Sequence, residues 1–203
     1  MNEDNFHYEG TKSFSSSGLL IVDIVDSDFY VNSEKELVKY VGNGADIVIP
    51  NEVKSIKSGV FEGNKNVKSV SISENVTSIG SSAFRDCTGL TSVILPNSIT
   101  SIGDMVFQGC ANLVNTEIPN SVTSIGNSAF KDCTGLISLK LPSSVTNIKS
   151  SAFEGCTGLK SIEFQNSVKK IESSAFRGCT GLVAIEIPKS VMEIGTYAFA
   201  DCI

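Results

Sequence analysis

Read only for apolar and polar positions, the chain repeats. Phenylalanine stands at 61, 84, 107, 130, 153, 176 and 199, always 23 residues apart. With phenylalanine as position zero, cysteine holds +3 from Cys87 to Cys202, and leucine holds +6 from Leu90 to Leu182. An aliphatic residue holds +9 (Val93, Leu139, Ile162, Ile185), with Thr116 the exception. Position +11 is apolar throughout (Leu95, Ile118, Leu141, Phe164, Ile187), and proline follows it in most copies. Aliphatics recur at +15 (Ile99 to Val191) and +18 (Ile102 to Ile194), and alanine or valine precedes the next phenylalanine. Six full units run from Phe61 to Ala198; a half-unit, "IVIPNEVKSIKSGV", precedes them, and the last unit stops at Ile203.

One 23-residue unit has nothing to bury its apolar positions against. Stacked units solve this, because each fixed position then lies over its counterpart and the columns form one core. The alternation in "SVILP" and "AIEIP" predicts a short strand at +9 to +11, ended by proline, which offers no ladder donor. "SVTSIG" predicts a second extended segment closed by glycine. "SSAFRDC" is too short for a stable helix and predicts one helical or 3₁₀ turn. Seven or so such coils would make a parallel sheet roughly 30–35 Å long.

The first coil of such a stack needs a cover. Residues 19–45 carry short β-like runs, "GLLIVDIV", "DFYVN" and "KELVKYVG", and form the expected N-terminal cap, with Leu20, Val22, Phe29, Val31, Leu37 and Tyr40 as its apolar surface. Residues 1–18, polar and serine-rich, read as a tail or linker, and residues 46–203 as the repeat domain. No similar cover follows Phe199, so the last coil is expected to be open to end-to-end contact in an otherwise monomeric protein.

Composition narrows the function classes. The net charge of −6 and pI near 4.8 argue against nucleic acid, which needs a clustered basic surface. No apolar run approaches the roughly 20 residues of a membrane span, and "MNEDNFHYEG" is not a signal peptide. There is no glycine-rich phosphate loop, and nothing in the sequence calls for a cofactor. The six cysteines admit three readings. They are a packed column of small apolar side chains, a column of disulfides, or reactive and metal-binding thiols. Packing is favoured, because side chains in one column point the same way and the only histidine, His7, lies in the tail. Asn64 replaces the cysteine in the first unit without disturbing the pattern, so no catalytic or metal-binding residue is assigned.

The consensus "AFxxCTGLxSVxLPxSVTSIGxS" resembles the BspA-like leucine-rich repeats of bacterial and protist surface proteins, over residues 46–203. The resemblance implies a right-handed, mostly β leucine-rich-repeat solenoid behind a hairpin-like cap, with the first strand on the concave side. It also implies a non-enzymatic role in protein binding or adhesion at the cell surface or after secretion. On that strand +8 and +10 point outward. The +10 column reads Ser71, Ile94, Glu117, Lys140, Glu163, Glu186 and varies in size and charge; the +8 column, with Asn115, Ser138 and Ser161, is small and nearly uniform. Ile94, Glu117, Lys140, Glu163, Glu186, Asn115, Ser138 and Ser161 are therefore the candidate contacts for a protein or extended polymer, such as a host or matrix protein. Two alternatives stay open: a solvated face without a ligand, and a spacer or stalk within a larger surface protein. Glu117, Lys140 and Glu163 are expected to pair along their column.

Overall fold

The computed structural model describes residues 28–202, Asn115 by its backbone alone, and the backbone of 7–9, 12–14 and 22–25. Each coil contributes two short strands, except the last, which contributes one; strands are numbered in chain order. The first family is β6 (Asp46–Val48), β8 (Ser69–Ser71), β10 (Ser92–Ile94), β12 (Asn115–Thr116), β14 (Ser138–Lys140) and β16 (Ser161–Glu163). The second is β7 (Ser55–Ile56), β9 (Ser78–Ile79), β11 (Ser101–Ile102), β13 (Ser124–Ile125), β15 (Asn147–Ile148), β17 (Lys170–Ile171) and β18 (Glu193–Ile194). Pairing within each family is parallel and in register at the 23-residue step, as in Val93 opposite Val70 and Ile125 opposite Ile148. A solenoid whose neighbouring coils mostly repeat their contacts follows from a sequence that repeats its apolar positions.

The core consists of those columns. Phe84, Phe107, Phe130, Phe153 and Phe176 are fully buried, and their rings stack at centroid spacings of 4.9–5.6 Å from Phe61 to Phe199. The stack continues into the N-terminal segment through Tyr40 and Phe29. There β3 (Val22–Val25), β4 (Phe29–Asn32) and β5 (Glu36–Tyr40) pair antiparallel, and β5 pairs parallel with β7. Phe29, Val31 and Leu37 are buried and Tyr40 packs beside them; Val22 is described by its backbone alone, and Leu20 lies outside the described residues. In the stretch read as a polar tail, β1 (His7–Glu9) and β2 (Lys12–Phe14) form a hairpin whose second strand pairs with β3.

The "SSAFRDC" segment holds no helix among the described residues. It is a chain of β-turns with every second N–H turned out of the coil. Ala83, Arg85 and Cys87 donate to carbonyls three residues back, while Ser82, Phe84 and Asp86 donate to Asp104, Val106 and Gln108 of the next coil at 2.7–3.0 Å. A helix would keep all these donors to itself. The alternation requires left-handed backbone at two positions per coil, taken for example by Ser82 (φ 58°) and Asp86 (φ 56°). At the second of these positions the sequence admits only glycine or aspartate, the types that tolerate this region best. Aspartate is never followed there by another aspartate: a Cβ at Gly109 or Gly155 would collide with Oδ1 of Asp86 or Asp132 in the coil before.

Candidate functional site

The six cysteines are free thiols; five are buried, and Cys202, in the last coil, is half-buried. Each donates its S–H to the carbonyl of the phenylalanine 26 residues earlier, as Cys133 does to Phe107 at 3.0 Å and Cys156 to Phe130 at 3.1 Å. Those carbonyls also accept the turn N–H of their own coil, so the thiol fills the second lone pair of a buried oxygen. The repeat pattern marked the cysteine as a small apolar residue and did not reveal this donor role. Burial pushes the thiols up, to about 12 for Cys87 and Cys179 and well above the ordinary value for Cys133 and Cys156. A thiol held neutral in the core is neither a nucleophile nor a metal ligand at neutral pH. Among the described residues no cluster of histidine, cysteine, aspartate or glutamate is arranged to hold a metal ion. Among the described residues no helix is long and apolar enough to cross a membrane.

The outward face of the first strand family is where variable residues meet solvent. Ile94 is 66 % exposed, and Glu117, Lys140, Glu163, Glu186, Ser138 and Ser161 are exposed beside it. Asn115 sits in β12 opposite Ser92, described by its backbone alone. Val48, 70 % exposed and in register with Ser71, extends the +10 column by one coil. The half-unit "IVIP" carries it at the same position, so the signal was present in the sequence. The column thus divides into an apolar half, Val48 and Ile94 either side of Ser71, and a charged half from Glu117 to Glu186.

The expected line of ion pairs is only half formed. Lys140 Nζ lies 3.0 Å from Glu163 Oε1, but Glu117 has no ionic partner among the described residues. The reason is a break in the sheet. Strands β6, β8, β10 and β12 form one sheet and β14 and β16 another, with no pairing between β12 and β14. The break coincides with Thr116, whose hydroxyl is buried in the aliphatic +9 column without a hydrogen-bond partner. Gln165, in the one full-length copy after the first that lacks proline at +12, donates to Glu163 Oε1 at 2.9 Å. The Lys140 ammonium, then the Gln165 amide, hold the Glu163 carboxyl below its ordinary range.

Two hollows open on this face. A small one of about 260 Å³ lies between Ile94 and Glu117, with Asn97 and Asn120 at its rim. A larger cleft of about 680 Å³ joins Lys140, Glu163 and Glu186 to Phe164, Ile187 and Pro188. The small +8 residues Ser138, Ser161 and Ala184 form part of its lining.

The chain matches the BspA type leucine-rich repeat region in six copies, over residues 34–157 and 101–203. A leucine-rich repeat protein of T. pallidum is 30% identical with a TM-score of 0.80, over 86% of this chain and 85% of that one. A leucine-rich cell surface protein of Faecalibacterium prausnitzii is 32% identical with a TM-score of 0.78, over 99% of this chain and 53% of that one. A leucine-rich repeat protein of Bacteroides ovatus is 29% identical with a TM-score of 0.78, over 91% and 50%. The chain therefore spans about half the length of the last two. No curated protein matches it. Register, core columns and these likenesses agree, and the chain belongs to the BspA type leucine-rich repeat family.

Proposed function

We propose that this protein is a non-enzymatic binding module, displayed at a cell surface or secreted, that engages a protein or extended polymer with its +10 strand face. The observation that carries the reading is the contrast within each coil. Core positions hardly change from copy to copy, while the +10 column runs through valine, serine, isoleucine, glutamate and lysine on an exposed sheet. A solenoid that fixes its core and varies one outward column offers rigid area with local choice of partner. Parallel strands make a broad, shallow surface suited to a macromolecule. The exposed charges set selectivity and salt dependence more than affinity, and the net charge of −6 favours basic partners. The cell-surface description of the F. prausnitzii relative supports the location.

The test is binding to an array of purified extracellular matrix and host-surface proteins across a salt series, with two variants. Glu163→Lys combined with Glu186→Lys weakens capture of the partner, while Ser101→Lys, on the exposed edge of the other strand family, leaves it intact. No captured protein would leave a spacer without a ligand as the better reading. Capture lost through Ser101→Lys but not through the glutamate pair would put the active face elsewhere.

A further inference from the structure

At three junctions between coils the strands of the first family are closed at both ends. The +7 N–H donates to the +7 carbonyl of the coil before: Thr91 to Lys68 at 2.8 Å, Val114 to Thr91 at 3.2 Å, Ile137 to Val114 at 3.3 Å and Lys160 to Ile137 at 2.8 Å. The +11 N–H donates to the +10 carbonyl of the coil after: Ile49 to Ser71 at 2.9 Å, Ile72 to Ile94 at 3.1 Å and Leu141 to Glu163 at 3.0 Å. The break at Thr116 loses bonds of the second kind but keeps the Ile137–Val114 bond. Between β16 and residues 183–187 neither kind forms among the described residues. The Lys160 carbonyl and the Phe164 N–H are left without partners, and 184–187 is not a strand.

The same coil stays clamped elsewhere. Ser174, Phe176 and Gly178 donate to Thr196, Ala198 and Ala200 at 2.8–2.9 Å, and β17 pairs with β18. Only the strand side is lifted, and the 680 Å³ cleft lies there. Val183 is 89 % exposed and Ile187 38 %, in the last full coil, where Ile194 of the paired strand β18 is likewise 50 % exposed. The lift occurs beside the only aromatic residue of the +11 column: Phe164 is bulkier than the leucines and isoleucines before it and sets its ring edge-on to Phe176 at 5.7 Å. The outward lip carries Glu163, already paired with Lys140, and Glu186, which makes no ion pair among the described residues. Lys189 lines the cleft beyond Pro188.

A free strand edge bordering an apolar cleft is the arrangement that takes up an extended peptide as an added strand, with backbone bonds for affinity and alternate side chains for specificity. We infer that this seam binds an extended peptide segment along β16, with one basic side chain of the peptide set beside Glu186 and Glu163 and an apolar neighbour on Phe164, Ile187 and Pro188. The inference rests on the binding-face reading above and names the partner class for its charged half. Lys189 disfavours a uniformly basic segment, so a single basic residue within an apolar, β-prone run is the preferred ligand.

The probe is a capped heptapeptide, Val-Thr-Val-Lys-Val-Thr-Val, titrated into the isotope-labelled full chain and followed by amide NMR. Two further peptides have glutamate at the centre, or the same sequence N-methylated at every residue. The lysine peptide shifts the amides of Phe164 and residues 183–187 saturably and slows hydrogen exchange at Phe164. The glutamate peptide binds about tenfold more weakly, and the N-methylated peptide does not bind. Glu186→Gln, an exposed change that leaves the melting temperature in place, weakens the lysine peptide about threefold or more. Equal binding of the N-methylated peptide, or no shift at Phe164 up to about 1 mM peptide, overturns the seam. A protein captured on the array whose contacts map to Ile94 and Glu117, with the peptide silent, keeps the binding face and rejects the seam. An empty array with a bound peptide does the reverse.

Discussion

Raising the pH should unfold this protein steeply, through its thiols. A cysteine whose folded-state pKa lies above its unfolded value holds its proton more tightly when folded. The stability it contributes is complete below the unfolded pKa, near 9, and is lost as pH rises toward the folded value, about 12 for Cys87 and Cys179. At pH 10 the unfolded thiol is mostly ionised and the buried one is not, a difference of between about 1 and 2 kcal/mol for each. Five buried thiols together withdraw about 7 kcal/mol, comparable to the entire stability of many domains, ~5–15 kcal/mol. Urea unfolding followed by circular dichroism from pH 7 to 10, with reductant present, should therefore show the midpoint collapsing above pH 9. Lysines and tyrosines titrate in the same range, so the decisive comparison is with Cys133→Ala/Cys156→Ala. That protein is less stable at pH 7, yet its further loss between pH 7 and 10 is smaller by about 3 kcal/mol. An identical pH-dependent loss in both proteins would refute the reasoning. So would native thiols that react at pH 8 as fast as denatured ones.

Position along the stack should grade the cost of losing a thiol: Cys133→Ala costs about 1–2 kcal/mol by chemical denaturation, and Cys202→Ala, half-buried in the last coil, less than half of that. Thr116→Val removes a buried hydroxyl that has no partner and restores the aliphatic column, so it should raise stability by about 1 kcal/mol; a loss would mean that an unseen acceptor serves that hydroxyl. Gly109→Ala forces a Cβ onto a backbone with φ of 73° and against Asp86, and should cost about 2 kcal/mol or more, partly recovered by adding Asp86→Gly; strict additivity of the two changes would disprove the collision. Lys140→Ala should return the Glu163 carboxyl toward its ordinary pKa in an NMR titration, while leaving the denaturation midpoint nearly unchanged because the pair is exposed.

The scaffold was legible because each core position is written several times over. Phe84, Leu90, Ile99 and Ile102 could each be read against several copies, and a column of identical apolar residues has few ways to be buried. The turn segment was harder. Its residues are those of a short helical turn, and what overrides that preference is the next coil, which claims alternate N–H groups; a bond between residues 22 apart leaves no local trace in composition. The glycine-or-aspartate rule at Gly63, Asp86 and Gly109 was nevertheless in the sequence, a signature of left-handed backbone that a helix does not need. At the candidate face, the column containing Ile94, Lys140 and Glu163 followed from period-two alternation alone. Its interruptions did not: the broken pairing after Thr116 and the lifted segment beside Phe164 arise at the copies that depart from consensus, where one side chain changes how two coils meet. Gln165 was visible as a missing proline, but its bond to Glu163 depends on which way a freed side chain turns.

The turn column has one more consequence. Along it, from Gly59 to Gly178, alternate N–H groups point toward the C-terminal end of the solenoid and the carbonyls that receive them point back. Peptide dipoles aligned in this way add instead of cancelling, as they do in a helix, but with the opposite sense relative to chain direction. The turn column is thus electrically polar along its length, with its positive end at the last coil, while the +7 bonds of the strand side point the other way. There Glu193 and Asp201 sit, each held by a basic side chain of the preceding coil, Lys170 at 2.8 Å and Arg177 at 3.2 Å. Every coil inserted into such a stack lengthens the dipole of the turn column without changing its sign, so the polarity of that column grows with repeat number.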